Sequence, residues 1–590
     1  LSSSVWVRGS SIQFSDQYKS LSMGLGYQRF NYAAGIALTY DLFNGLYRKD
    51  KLTINRFQQQ AAEARLQQQQ LVLNSASNQA DEALRTILSN LSELPVQLSA
   101  AEATYRQKLA QYKAGIISLI DLTNASFVLY RSQIDYIETL SDWYLAPAEK
   151  LAYVVAFDPS RSRPDALSVV DTDPASPSYA KIVGSTPMPN TGDELHHFGW
   201  NACSSCLCPN APHPHVERRY LVVPGLRSSR IHILDTKPDP KNPKIVRVIE
   251  AEEIASKAGY SRPHTIHCGP EGIYVSALGN AEGKGPGGVF LMDHESFDVL
   301  GRWEIDRGPQ ELAYDFWWHL GHDTMITSEW GTPDTFENGL IPEVLLGSRY
   351  GRHLHFWDLH KRKHQQAIDL GPEHQLVFEL RPAHDPTKAY GFVGVVISLK
   401  DLSSSIWTWY RDGDAWAVRK VIEIPAEPAD PDLLPPVLKG FKAVPPLVTD
   451  IDLSMDDRFL YVSCWGTGDF LQYDVSDPMA PQLVGKVRIG GIVAKAAHPA
   501  RPGQPLNGGP QMVEVSRDGR RVYFTNSLYG AIDPQFYHEG LDGWMVKLDV
   551  GPDGGMAFDE RFFLDWPKGH LPHQVRLEGG DCSSDSYCYP

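Results

Sequence analysis

Cysteine is scarce in this chain, with seven residues in 590. That is too few for a disulfide scaffold of this size, so cross-linking is not what holds the fold. None precedes Cys203, and three fall in the string NACSSCLCP, which points to local chemistry rather than stapling. A basic surplus is missing too. Lys and Arg number 55 against 71 Asp and Glu, a net charge of −16. This excludes a broad nucleic-acid surface, because phosphate binding needs clustered cations. No run approaches the ~20 apolar residues of a membrane-spanning helix. A basic-then-apolar leader is also absent; the opening LSSSVWVRGS reads as the middle of a strand, as though something upstream had been removed.

What is present suits a folded protein: 42% hydrophobic and 21% charged residues, in a chain long enough for two or more units. The first ~155 residues and the remainder obey different periods. Leu21, Met23, Leu25 and Tyr27, then Ile36, Leu38 and Tyr40, alternate with small or polar residues and predict two β-strands. A Gln- and Ala-rich stretch from Leu52 to Leu91 follows, and a second helical stretch runs from Leu119 to Val155. Residues 156–178, rich in Pro, Ser and Asp, read as a linker with a first closing strand.

Beyond it, from about residue 164 to 590, short Val-, Ile-, Tyr- and Trp-rich strands recur in groups of four, the pattern of a β-propeller blade. Seven inner strands are proposed at HHFGWNACSS, PHTIHCGP, PQELAYDF, FELRPAHDP, VTDIDLSMDD, PQMVEVSRDG and PHQVRLEGG. The last lacks room for its outer strands, which ALSVVDTD and AKIVGSTP supply from the other end, so no sheet edge is left open.

Side chains at inner-strand starts point towards the axis. Candidates there are His196, His197, His264, His267, Gln310, Glu311, His384, Asp450, Gln511 and His573. Imidazoles converging from different blades are what a transition metal requires. His353, His355, His360 and His364 form a denser run on a third-strand pattern away from the axis and read as structural or solvated, while His319 and His322 are left open. Cys203 and Cys206 form a Cys-x-x-Cys that lacks a second zinc ligand pair and lacks a helix to lower the thiolate pKa. Capture of a soft electrophile such as selenium, or no role, are the other readings.

The strings DELHHFGWNACSSC, RPHTIHC, GPQELAYDFWW, GGPQMVEVS and PHQVRLEGGDCSSD resemble the selenium-binding protein/methanethiol oxidase family throughout residues 164–590. That resemblance implies an all-β seven-bladed propeller. In bacterial members it implies a copper-dependent oxidase converting methanethiol, O2 and water into formaldehyde, hydrogen sulfide and hydrogen peroxide, with selenium linked to Cys203. On this reading His197, His264, His384 and His573 hold copper, with His196 and His267 as secondary ligands. Glu311 or Asp450 accepts the thiol proton, and Cys203, beside Cys206, holds a sulfur intermediate or takes no part. The rival readings are a selenium-binding or protein-interaction propeller without turnover, and an efflux-channel component with a propeller passenger.

Residues 1–155, through YDLFNGLYRKDKL and YKAGIISLIDLTNASFVLYRSQIDYIETLSDWYLA, resemble the C-terminal repeat of TolC-like outer-membrane efflux proteins. In that family a β-hairpin enters a membrane barrel and paired helices extend it. About half a protomer is covered, and the segment is read as a truncated or fused remnant. The resemblance implies a periplasmic or outer-membrane-associated protein, the alternative being cytoplasmic.

Overall fold

A computed structural model of the chain describes residues 4–8, 29–33, 44–144, 149–202, 216–269 and 271–584. The expected strands at 21–27 and 36–40, together with Cys203 and Cys206, lie outside the described residues.

The chain divides into two compact units, residues 1–86 and 87–590. In the first, Ser4–Arg8 pairs antiparallel with Arg29–Ala33, Ser4 opposite Ala33. The helix Asn44–Lys113 starts in this unit and continues into the second. Its Gln, Ala and Leu content favours helix because these side chains lose little rotamer freedom there. A turn at Gly115, whose φ of 72° suits glycine, leads to the helix Leu119–Tyr144. Ser118 and Asp121 cap that helix reciprocally: the Asp121 N–H donates to Ser118 Oγ (3.3 Å) and the Ser118 N–H to Asp121 Oδ2 (3.0 Å). Among the described residues no helix is long and apolar enough to cross a membrane.

The helical period stops at Tyr144, not at Val155. Leu151–Phe157 is instead a strand in which all seven residues are buried. A strand buried on both faces carries no alternation, so LAYVVAF is indistinguishable by period from a continuing helix.

Seven antiparallel four-stranded sheets make the propeller. Blades 1 to 6 begin with inner strands at Gly199–Trp200, Tyr260–Gly269, Phe316–His319, His374–Pro382, Val448–Leu453 and Val513–Val515. Blade 7 is built from both ends of the propeller segment: Leu571–Leu577 pairs with Leu151–Phe157 (Val575 opposite Val154), followed by Pro164–Asp171 and Ile182–Thr191. Ring closure thus takes three early strands, one more than the sequence suggested.

Inner strands of adjacent blades are not joined in a common ladder, so their inward N–H groups need other acceptors. Buried side chains supply them. Asp315 accepts from Leu380 N (2.8 Å), Asp450 from Val513 N (2.7 Å), Asp452 from Val515 N (3.1 Å) and Gln574 from Phe198 N (2.5 Å). Each bond ties one blade to the next. Apolar clusters fill the spaces between blades, and a further aromatic-rich cluster containing Tyr314, Trp330, Phe336, Phe378, Trp465 and Tyr529 draws largely on the connections between strands.

Candidate metal centre

Four imidazoles from three blades meet inside the ring. His196 and His197 precede the short inner strand of blade 1, His264 lies on that of blade 2, and His573 on that of blade 7. At His264 the strand register shifts between Pro263 and Ile266, which turns the side chain inward. Ring centroids of His196 and His573 stack at 3.8 Å; His197 and His264 are 4.2 Å apart, and His196 and His264 4.9 Å. Ligand atoms of His196, His197 and His264 all lie within 4.8 Å of one another.

All four rings are buried, and each presents a nitrogen without a partner: Nδ1 of His196 and Nε2 of His197, His264 and His573. Their other contacts explain which nitrogen is left. His573 Nδ1–H donates to the Ser527 carbonyl (2.8 Å), so in the neutral ring Nε2 carries the lone pair. His264 Nδ1 is engaged by the Thr265 hydroxyl at 3.0 Å. Burial, followed by the mutual effect of neighbouring imidazoles, holds His196, His197 and His264 well below the ordinary histidine range, and burial brings His573 down to about 4. These are neutral imidazoles at pH 7. Buried unpartnered acceptors cost ~1–3 kcal/mol each, a cost that a transition-metal ion bound to them would relieve. The donor set fits such an ion.

Two hydroxyl–carboxylate–guanidinium groups flank the imidazoles. On one side the Tyr314 ring lies 4.5 Å from His264, its hydroxyl donates to Glu379 (3.0 Å), and Glu379 stands 3.7 Å from His197 Nδ1 and 3.3 Å from Arg381. Burial raises the Glu379 carboxyl above its ordinary range, opposed by Arg381 and the Tyr314 bond. On the other side Tyr529 packs edge-on to His196 at 5.9 Å and receives a hydrogen bond from Arg227 (3.1 Å), itself paired with Glu194 (3.0 Å).

Sequence-chosen residues divide sharply. His196, His197, His264 and His573 come together; His384 and His267 do not join them. The inner strand of blade 4 ends at Pro382, so His384 lies beyond its far end rather than at its start. Both nitrogens of His384 are engaged there, Nδ1 by Asp457 (3.0 Å) and Nε2 by the Cys582 carbonyl (3.1 Å). His267 sits three residues beyond His264 and stacks on Trp317 at 3.7 Å, near Asp315. Glu311 is exposed, its backbone carbonyl accepting from Gly287 N, and makes no described contact with the cluster. Asp450 is buried and tied to Val513 N, Ile451 N and Arg381, one step removed behind Glu379. Burial, then the charge of Glu379, lifts its carboxyl well above the usual range. Tyr314, Glu379 and Tyr529 were not anticipated. The signal for Glu379 was a lone carboxylate within the inner strand HQLVFELRP, flanked by Phe378 and Leu380.

The denser histidine run is structural. His353 Nδ1 and His355 Nε2 both face the buried carboxylate of Glu329 at 2.9 Å, and His364 contacts His355 at 3.0 Å. His360 pairs with Asp323 at the surface, and His319 Nε2 donates to the Lys388 carbonyl.

Known proteins place this architecture. Residues 136–588 match the model of the 56 kDa selenium-binding protein family, and residues 11–149 match that of outer membrane efflux proteins. A methanethiol oxidase of Xenopus laevis is 38% identical over 482 residues, covering 77% of this chain and 97% of that protein. The human methanethiol oxidase is 39% identical, with 74% and 95% covered, and selenium-binding protein 1 of Arabidopsis thaliana is 39% identical, with 74% and 92% covered. A solved structure of a hypothetical selenium-binding protein from Sulfolobus tokodaii superposes with a TM-score of 0.73 at 58% identity, covering 76% of this chain and 97% of that one. With a family match over most of its length and relatives 38–39% identical over nearly their whole length, the chain belongs to the 56 kDa selenium-binding protein family.

Proposed function

We propose that the propeller oxidises a small thiol, methanethiol in the first instance, with O2 and water, yielding formaldehyde, hydrogen sulfide and hydrogen peroxide, at copper held by His196, His197, His264 and His573. The observation that carries this reading is the set of four buried imidazoles, each with an unpartnered nitrogen. The relatives named methanethiol oxidase support the substrate. Copper, when bound, supplies one-electron redox change and a soft acceptor for thiolate sulfur.

The chain's own residues then have defined work. Ser527 fixes the His573 ring through its carbonyl, and the Thr265 hydroxyl fixes His264, so both present Nε2 inward. Glu379, beside His197 and Tyr314, takes the role of proton acceptor that sequence reasoning gave to Glu311 or Asp450. Burial, which raises its carboxyl above the ordinary range, favours its holding a proton released by the thiol. Behind it, Arg381 gives that charge a buried counterpart, which it shares with Asp450. Aromatic side chains over the cluster exclude bulk water.

Hydrogen peroxide and sulfide formation from methanethiol, measured on copper-loaded and copper-stripped protein, tests the proposal. Equal or no product in both samples would remove it. A second reading, selenium binding without turnover at Cys203 and Cys206, draws on the relatives named for selenium binding. The same assay separates the two.

A further inference from the structure

We infer that Trp330 is the residue that limits ligand size at the four-imidazole cluster and donates a hydrogen bond to the bound ligand. This rests on the ligand reading above.

Trp330 is 3% exposed and lies 6.5 Å from His264, ring centre to ring centre, and 6.3 Å from Tyr529 at 90°. Its other neighbours hold it in place. Phe336 stacks on it at 4.1 Å, and Phe378 and Tyr314 meet it edge-on at 5.4 and 5.7 Å. With Tyr314 and Tyr529 it forms a closed aromatic wall on the cluster, and a wall of planar rings packed on several sides yields little to a longer alkyl chain. Its indole N–H is buried and has no partner. A donor left orphaned on a ring that packs against His264, whose own Nε2 is orphaned, is what a site for a small, lone-pair-bearing ligand such as a thiolate leaves behind.

The backbone around Trp330 is anchored on both sides. Trp330 N–H donates to the Ala313 carbonyl (3.3 Å), and its own carbonyl accepts from Gly351 (2.6 Å). The preceding residue, Glu329, exchanges backbone hydrogen bonds with Val377 in blade 4 (3.1 and 3.2 Å). Its carboxylate is gripped by His353 and His355. His353 and His355 of the outer histidine run thereby act as the clamp that positions the wall.

The test uses the full chain loaded with copper and two probes, methanethiol and 1-propanethiol. Binding is followed by calorimetry under anaerobic conditions and turnover by sulfide release. For Trp330→Leu we expect 1-propanethiol to gain at least ~10-fold in affinity relative to methanethiol. For Trp330→Phe, which keeps the bulk and loses the N–H, both thiols should weaken about equally, by ~10–100-fold, the scale of one hydrogen bond to a charged acceptor. Copper content should stay at the wild-type level in both variants. An unchanged thiol ratio in Trp330→Leu overturns the size limit, and unchanged affinity in Trp330→Phe overturns the donor. If neither thiol binds wild-type protein, both inferences fall. If they bind selectively without turnover, the wall stands and the oxidase reading falls. Should Trp330→Leu not fold, Trp330→Phe still decides the donor and Tyr529→Leu, on the same wall, replaces it for size.

Discussion

Replacing Glu329 by Gln keeps the side chain's size and removes the charge that His353 and His355 face. Burial alone would push this carboxyl up, but hydrogen bonds from the two histidines pull it from 4.5 down to about 2. At ~1.36 kcal/mol per pH unit, that displacement is worth ~3 kcal/mol of folding stability. The sign follows from the direction. A carboxyl depressed in the folded state contributes fully above about pH 4.5 and loses its contribution as pH falls through 4.5 towards 2. His353 is raised, first by its bond to Glu329, so its share is complete below pH 6.5 and declines as pH rises further. The stability gap between wild type and Glu329→Gln should therefore be widest between about pH 5 and 6.5 and reduced to about a quarter of that at pH 2.5. Urea-unfolding midpoints of the two proteins, taken at intervals from pH 2.5 to 8, read the gap. A gap of constant size across that range would refute the reasoning, since loss of packing alone carries no pH dependence.

Two further outcomes follow from the ring. A chain truncated to begin at Glu149 should keep a cooperative thermal transition, whereas one beginning after Phe157 should lose it, because Leu151–Phe157 closes blade 7 and all of its residues are buried; circular dichroism melting distinguishes them. Gln574→Leu should cost ~1–3 kcal/mol by leaving Phe198 N–H without an acceptor, a loss read as a lowered urea midpoint; an unchanged midpoint would argue against the blade-to-blade ties.

The propeller was legible because each inner strand carries its own string and the turn residues separate them. What period could not reveal was the strand Leu151–Phe157, whose continuous burial erases alternation. At the site, His196, His197, His264 and His573 could be chosen from their place near inner-strand starts. His384 was misplaced by that same rule, because FELRPAHDP contains the end of the blade 4 strand and not its beginning. His267 was misjudged since the shift at Pro263/Ile266 gives His264 and His267 different surroundings on one strand. Tyr314 and Glu379 lie inside the inner-strand strings, but nothing in the spacing of those strings marks them for the site. Their roles arise from which side chains of neighbouring blades share a height in the ring, a property of packing that no linear spacing encodes.

Copper bound per purified full-length chain, measured by elemental analysis after loading and desalting, tests the convergence of imidazoles most directly. Wild type and His384→Ala should each retain about one copper, and a His264→Ala, His573→Ala double variant should retain almost none, since it loses half the available ligands. Wild-type copper content in the double variant, or its loss in His384→Ala with the fold intact, would contradict the assignment.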